Sequence, residues 1–257
     1  MPILYNKKMK EEKIDNHAIY NEKWEGWVDM KIYGPASRWL RSLIGNQISF
    51  MDKGSVKSML DVGSGEGTIT YFLAQKFPQA SVLGVDFSES GVECARASYQ
   101  SPNLSFAHDL DSRALEKKYD LVTAFEVLEH VDDWQDLLGR MANASQKYVL
   151  VSFPTGRMRP FERNVGHVRN FKKGEVEEFL LREGYKPVSV YYAGFPFYNP
   201  LYRELCNLTD SANNQFTQGK YGIAQKTIGW FFFILFRFFS TQRRFGDQFC
   251  GLFERIK

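Results

Sequence analysis

The residues able to do chemistry fall in a few short runs. Asp61-Val62-Gly63-Ser64-Gly65-Glu66-Gly67 sets three glycines on alternate positions, a spacing that lets a chain turn tightly and lets a ligand touch backbone. A dinucleotide fingerprint needs its third glycine where this chain has Thr68. Glu66 also puts a carboxylate where two phosphates would lie, which is repulsive; a cationic, amino-bearing ligand suits that acid better. Further on, Glu126, Glu129 and His130 offer three hard or borderline ligand side chains within one helical turn, and His167 lies downstream. The two imidazoles are candidates for a general base or for positioning an acceptor. Arg157, Arg159, Arg163 and Arg169 surround His167 with Glu162 opposing, which reads either as a receiver for an anion or as a solvated loop.

These runs need elements to hold them. The apolar run Val56–Asp61 precedes the glycine loop, and Ile69, Phe72, Leu73 and Phe77 follow at helical spacing. The beat then repeats: strand Ser81–Asp86, helix Ser88–Tyr99, strands Leu104–Ala107 and Tyr119–Phe125, helix Trp134–Ala144, strand Lys147–Phe153. A polar loop is expected from Pro154 to Asn170, then helix Lys172–Glu183, strand Pro187–Tyr192 and a last strand Asp247–Glu254. The alternation predicts an α/β fold: a doubly wound, Rossmann-like sheet of about seven strands, with N-terminal helices and a helical insertion before the last strand. The expected boundaries are a helical cap over 1–55, broken at Gly34-Pro35, a core over 56–192, a Phe-rich insertion over 193–246 and a closing strand over 247–257. Ligands bind at the carboxyl edge of such sheets, which is where Asp86, Phe125 and Glu126 fall.

Leu60-Asp61-Val62-Gly63-Ser64-Gly65-Glu66-Gly67 followed by Gly84-Val85-Asp86-Phe87-Ser88 resembles the class I S-adenosylmethionine-dependent methyltransferases. The resemblance covers about residues 56–192 and the closing strand. It implies S-adenosylmethionine as cofactor, with Asp61, Gly63, Ser64, Gly65 and Gly67 at its methionine end. It further implies Asp86 on the two ribose hydroxyls, Phe87 on the adenine face, Asp109 with Leu110 at the adenine amino group, and Phe125 and Glu126 beside the sulfonium. A single carboxylate can accept from two vicinal hydroxyls at once, which agrees with the Asp86 role. His130 and His167 are the catalytic candidates on the acceptor side. The E-x-x-E-H pattern is similar to one that binds a divalent metal in ubiquinone-pathway O-methyltransferases and in small-RNA 3′-end methyltransferases. Many relatives carry the same residues with no metal known, and none is assigned here. The expected reaction is O-methylation of a small-molecule, glycan or lipid-linked acceptor. The rival readings are a catalytically silent methyltransferase-like scaffold, a membrane-surface adaptor and an NAD-dependent oxidoreductase.

Composition narrows the partners. The chain has 257 residues, 33 basic against 30 acidic, for a net charge of +3. That balance is too even for a protein that coats nucleic acid, so no nucleic-acid partner is expected. Cys94, Cys206 and Cys250 are odd in number and widely spaced, which predicts a reduced, cytoplasmic chain. The run Trp230–Phe239, within the apolar stretch Ile228–Phe239, is apolar on every side, and five basic and no acidic residues lie between Lys220 and Arg244. It is too short to span a bilayer. Two readings stay open for 220–244: peripheral membrane contact, or a buried lid or dimer helix.

Overall fold

The computed structural model describes residues 16–109, 113–208 and 219–256. Two helices come first, α1 (Asn16–Tyr33) and α2 (Pro35–Ile48), separated at Gly34 with Pro35 opening the second. Proline is favoured there because the first helical N–H has no intrahelical partner to lose. Then β1 (Ser58–Val62), α3 (Thr68–Lys76), β2 (Ser81–Asp86), α4 (Glu89–Ser98), β3 (Leu104–His108), β4 (Tyr119–Phe125), α5 (Trp134–Ala144) and β5 (Ser145–Pro154) follow in turn. The second half adds α6 (Pro160–Asn164), α7 (Glu175–Arg182), β6 (Tyr185–Ala193), α8 (Arg203–Leu208), α9 (Ile223–Ile234) and β7 (Gln248–Arg255).

The strands form one sheet in the order β3-β2-β1-β4-β5-β7-β6. The first five pair in parallel, and β7 inserts antiparallel between β5 and β6. The sheet is therefore mixed, although alternating elements alone predict only parallel pairing. Strand order reverses between β1 and β4, so the crevice beyond their carboxyl ends is the place for a ligand.

Each face of the sheet is covered. On one side, Leu43 and Ile44 of α2 and Leu73 of α3 pack onto Met59, Leu121 and Leu150. On the other, Leu138 and Met141 of α5 and Leu180 of α7 pack onto Leu60, Val122 and Val149. Burying each such side chain contributes about 1.5–3 kcal/mol. The segment after Pro154 differs from the expected loop because α6 interrupts it. The buried Glu162 side chain accepts the Arg159 backbone N–H at 2.6 Å and so starts that turn.

Between β6 and β7 the described residues form α8 and α9, and α9 runs on through a wider turn over Leu235–Phe239. Phe236 is fully buried, with its ring 5.1 Å from Tyr202, 5.4 Å from Tyr198 and 5.9 Å from Trp39 between centroids. Among the described residues no helix is long and apolar enough to cross a membrane.

Candidate active site

A cavity of about 990 Å³ lies at the carboxyl ends of β1, β2 and β4. Asp61, Gly63, Ser64, Glu66, Asp86, Phe87, Asp109, Phe125 and Glu126 line it, as do His130 and His167. Tyr198, Tyr202 and Gln248 complete the wall on the side of the late insertion. The cavity is at the upper end of the usual range for small-molecule sites. Of the residues singled out in the sequence, Leu110 lies outside the described residues.

The glycine loop is held by its neighbours. Gly63 and Ser64 both donate N–H groups to the Val85 carbonyl, at 2.8 and 2.9 Å. Gly65 has φ +51° and Gly67 φ +87°, in the left-handed region. A Cβ on Gly65 would stand 2.3 Å from the Trp24 ring, and one on Gly67 2.7 Å from Phe106. These two glycines are thus required by close protein packing. Gly63, at φ +73°, is equally constrained, since a Cβ there would stand 2.4 Å from Val127; Gly63 and Ser64 also line the cavity.

The carboxylates divide by environment. Asp61 is buried and accepts from Thr70 Oγ1 and Thr123 Oγ1, both at 2.6 Å. Burial pushes it up to about 6 against those two hydrogen bonds. Asp86 accepts the Gly65 N–H at 2.7 Å on one oxygen and the Ser88 N–H at 2.8 Å on the other. Burial raises its pKa as well. Ser88 itself caps α4, accepting from Gly91 N–H, so Asp86 does not serve as that helix's cap. Asp109 accepts the backbone N–H groups of Arg113 and Ala114, both at 2.8 Å, so part of its capacity orders the turn after β3.

Past β4 the chain bends sharply. Glu126 sits at φ +57°, unusual for a side chain of its kind. Its Oε1 accepts from Ser152 Oγ and from Gln248 Nε2, both at 2.8 Å. Ser152 on β5 and Gln248 on β7 carry no local sequence signal, since only the sheet order brings them here. His130 and His167 meet edge to face, 4.7 Å between centroids. Burial, with His167 beside it, lowers His130 to about 3, and burial lowers His167 to about 4. Both rings are therefore neutral at physiological pH.

Glu129 is fully buried, and neither carboxylate oxygen has a hydrogen-bond partner. Burial and the neighbouring Glu126 raise its pKa well above the usual carboxylate range. Ligand atoms of Glu129, His130 and His167 all lie within 4.8 Å of one another, a set that suits a divalent cation. The arginines near His167 are largely committed elsewhere. Arg159 is buried, with Nε donating to Glu204 at 2.8 Å and Nη2 to Asn199 Oδ1 at 2.5 Å. Arg157 also pairs with Glu204, and Arg169 donates to the Asp132 carbonyl. Arg163 is solvent-exposed, so three of the four arginines are bound to protein groups and one is solvated.

Residues 60–146 match the family model described as a methyltransferase domain. This part of the chain is a methyltransferase domain. The chain is 26% identical over 130 residues to the malonyl-[acyl-carrier protein] O-methyltransferase of Acetivibrio thermocellus, covering 50% of this chain and 46% of that protein. It is 40% identical over 83 residues to the trans-aconitate 2-methyltransferase of Deinococcus radiodurans, covering 32% and 31%. The matches thus span less than half the length of these curated relatives. Over nearly its whole length, 94%, the chain superposes on 98% of the magnesium protoporphyrin IX methyltransferase of Synechocystis with bound SAM, at TM-score 0.55 and 16% identity. The fold is the Rossmann-like fold of class I methyltransferases. The methyltransferase domain supplies β1 to β4, and with them the glycine loop, Asp86 and Glu126.

Proposed function

We propose that the chain transfers a methyl group from S-adenosylmethionine to an oxygen of a small-molecule acceptor. The observation that carries this reading is Asp86. Its carboxylate closes the β2 end of the cavity, oriented by two backbone N–H groups. Each carboxylate oxygen has a second acceptor site, so a vicinal diol still finds two lone pairs. Phe87 and Asp109 lie beside it for a base, and Gly63 and Ser64 lie beside it for an amino-acid end. When bound, the cofactor supplies an electrophilic methyl group and a neutral leaving group.

The chain's own contribution is alignment and proton control. Glu126 is fixed by Ser152 and Gln248, so it meets the cavity in one orientation. His130 hydrogen-bonds the Gly166 backbone with one side of its ring. As neutral imidazoles, His130 and His167 can accept hydrogen bonds from an acceptor hydroxyl and orient it. The malonyl-[acyl-carrier protein] relative is an O-methyltransferase, which supports oxygen as the acceptor atom.

A second reading of the acceptor side is favoured by Glu129, whose orphaned oxygens stand beside two neutral imidazoles. Glu129, His130 and His167 would hold a divalent cation, which would lower the pKa of an acceptor hydroxyl. The experiment is incubation of the purified chain with methyl-labelled cofactor and fractionated cell extract. Label is expected in one extract component, with transfer reduced in His130→Ala and His167→Ala while cofactor affinity stays. Binding without transfer to any fraction favours the silent scaffold.

A further inference from the structure

The late insertion has a face that the fold does not use. The inward stripe of α9 is Gly229, Phe232 and, one turn on, Phe236. These pack on Tyr33, Tyr202 and Trp39. The outward stripe, at the same helical spacing, is just as apolar. Trp230 is 50% exposed, Phe231 59%, Phe238 69% and Phe239 62%. A surface helix of a globular protein ordinarily carries polar residues on that side, and an exposed apolar patch of this kind marks a contact surface.

The charge around the patch says what would cover it. Lys220, Lys226, Arg237, Arg243 and Arg244 flank it, with no acid between 220 and 244. Arg38 of α2 adds a cation 4.7 Å above the Trp230 ring. Aromatic side chains on one face with basic residues at its border fit the headgroup and upper acyl region of an anionic bilayer. The helix is too short to span. The patch is also one side-chain layer from the cavity, because Phe232 and Phe236 pack on Tyr202, which lines it.

We propose that the outward face of α9 and the turn after it, Trp230 to Phe245, docks the protein on the surface of an anionic phospholipid bilayer. The chain lies on the membrane through this face, with the cavity wall formed by Tyr198 and Tyr202 just behind it. Docking does not depend on the methyl-transfer reading.

The full chain is mixed with phosphatidylcholine vesicles, with or without phosphatidylglycerol, and sedimented. Trp230 is the one exposed tryptophan of the five, since Trp24, Trp27, Trp39 and Trp134 are buried, so its emission reports docking. The expected result is binding to the phosphatidylglycerol vesicles, a blue shift, and quenching by lipid brominated in its acyl chains. Phe231→Asp with Phe238→Asp should weaken binding about tenfold or more, and Arg243→Glu with Arg244→Glu by a similar factor. Both positions of each pair are exposed, and unchanged thermal melting checks that the variants fold. No sedimentation with anionic vesicles overturns the proposal, as does binding that the Phe pair leaves intact. A dimer that Phe231→Asp splits, without vesicle binding, also overturns it.

Discussion

Gly65 donates its backbone N–H to the carboxylate of Asp86 at 2.7 Å, across twenty-one positions of sequence. This bond ties the loop after β1 to the end of β2, so the loop and the acid move as one piece. A ligand that engages Asp86 therefore also feels the loop. Asp86→Asn keeps the shape but turns one of the two accepting oxygens into an amide donor that faces a backbone N–H. It should cost about 1–3 kcal/mol of stability in chemical denaturation. An unchanged midpoint would show that the loop does not rely on this contact.

The packing of Gly65 against Trp24 gives a steric prediction. Gly65→Ala combines a left-handed φ with a 2.3 Å approach to the indole, whereas Gly184→Ala has the same sign of φ and nothing within 4 Å. The first should cost clearly more than the second, which is expected near 1 kcal/mol. Trp24→Ala in the Gly65→Ala background should recover part of the difference in thermal melts. Equal costs would place the strain in the backbone alone.

Asp61 sets a pH dependence of definite sign. Its carboxyl is raised from 3.8 to about 6 in the folded chain, so between those values the folded state holds a proton that the unfolded state has released. The stability due to this group is full below about pH 4 and falls by about 3 kcal/mol as pH rises to about 6. Denaturation of wild type against Asp61→Asn across that window measures it. Where S-adenosylmethionine binds as proposed, its ammonium favours the ionised acid. Affinity should then rise up to about tenfold per pH unit below 6 and level off above. Methylthioadenosine, which lacks the amino group, should show no such slope.

Glu129 offers a test with no turnover in it. Manganese or magnesium at millimolar concentration should raise the melting temperature of wild type. It should leave Glu129→Gln unmoved, because the stabilisation follows from binding to the folded state alone. The metal-free Glu129→Gln chain should be at least as stable as wild type, since the substitution removes a buried, unpartnered acid. Equal shifts in both chains would remove the cation from the site.

The insertion is expected to behave as two faces. Phe236→Ala deletes a ring buried among Trp39, Tyr198 and Tyr202 and should cost about 3–5 kcal/mol. Phe238→Ser, on the outward face, should stay within about 0.5 kcal/mol. Comparable losses would mean that the outward face is covered in solution.

Much of this was legible before the fold. Local periodicity placed β2, β4 and α5, whose observed limits, Ser81–Asp86, Tyr119–Phe125 and Trp134–Ala144, are those the sequence predicts. The glycine loop and Asp86 were legible because one turn chemistry and one strand end carry the signal. What stayed hidden depends on long-range pairing. Ser152 and Gln248 grip Glu126 only because β5 and β7 lie side by side, and periodicity cannot report that β7 enters antiparallel. The arginines around His167 left an anion receiver and a solvated loop both open, because Glu204, the partner of Arg157 and Arg159, lies forty-five residues beyond Arg159. Short α6 carries too few residues to show a helical period.

The central claim is a pocket for S-adenosylmethionine with Asp86 at its sugar. Calorimetric titration of the purified chain with S-adenosylmethionine, and separately with NAD, tests it most directly. The account predicts one binding event per chain with the sulfonium nucleoside, none with NAD, and at least about a tenfold loss of affinity in Asp86→Ala. Absence of heat with S-adenosylmethionine, or Asp86→Ala binding it as wild type does, would contradict the account.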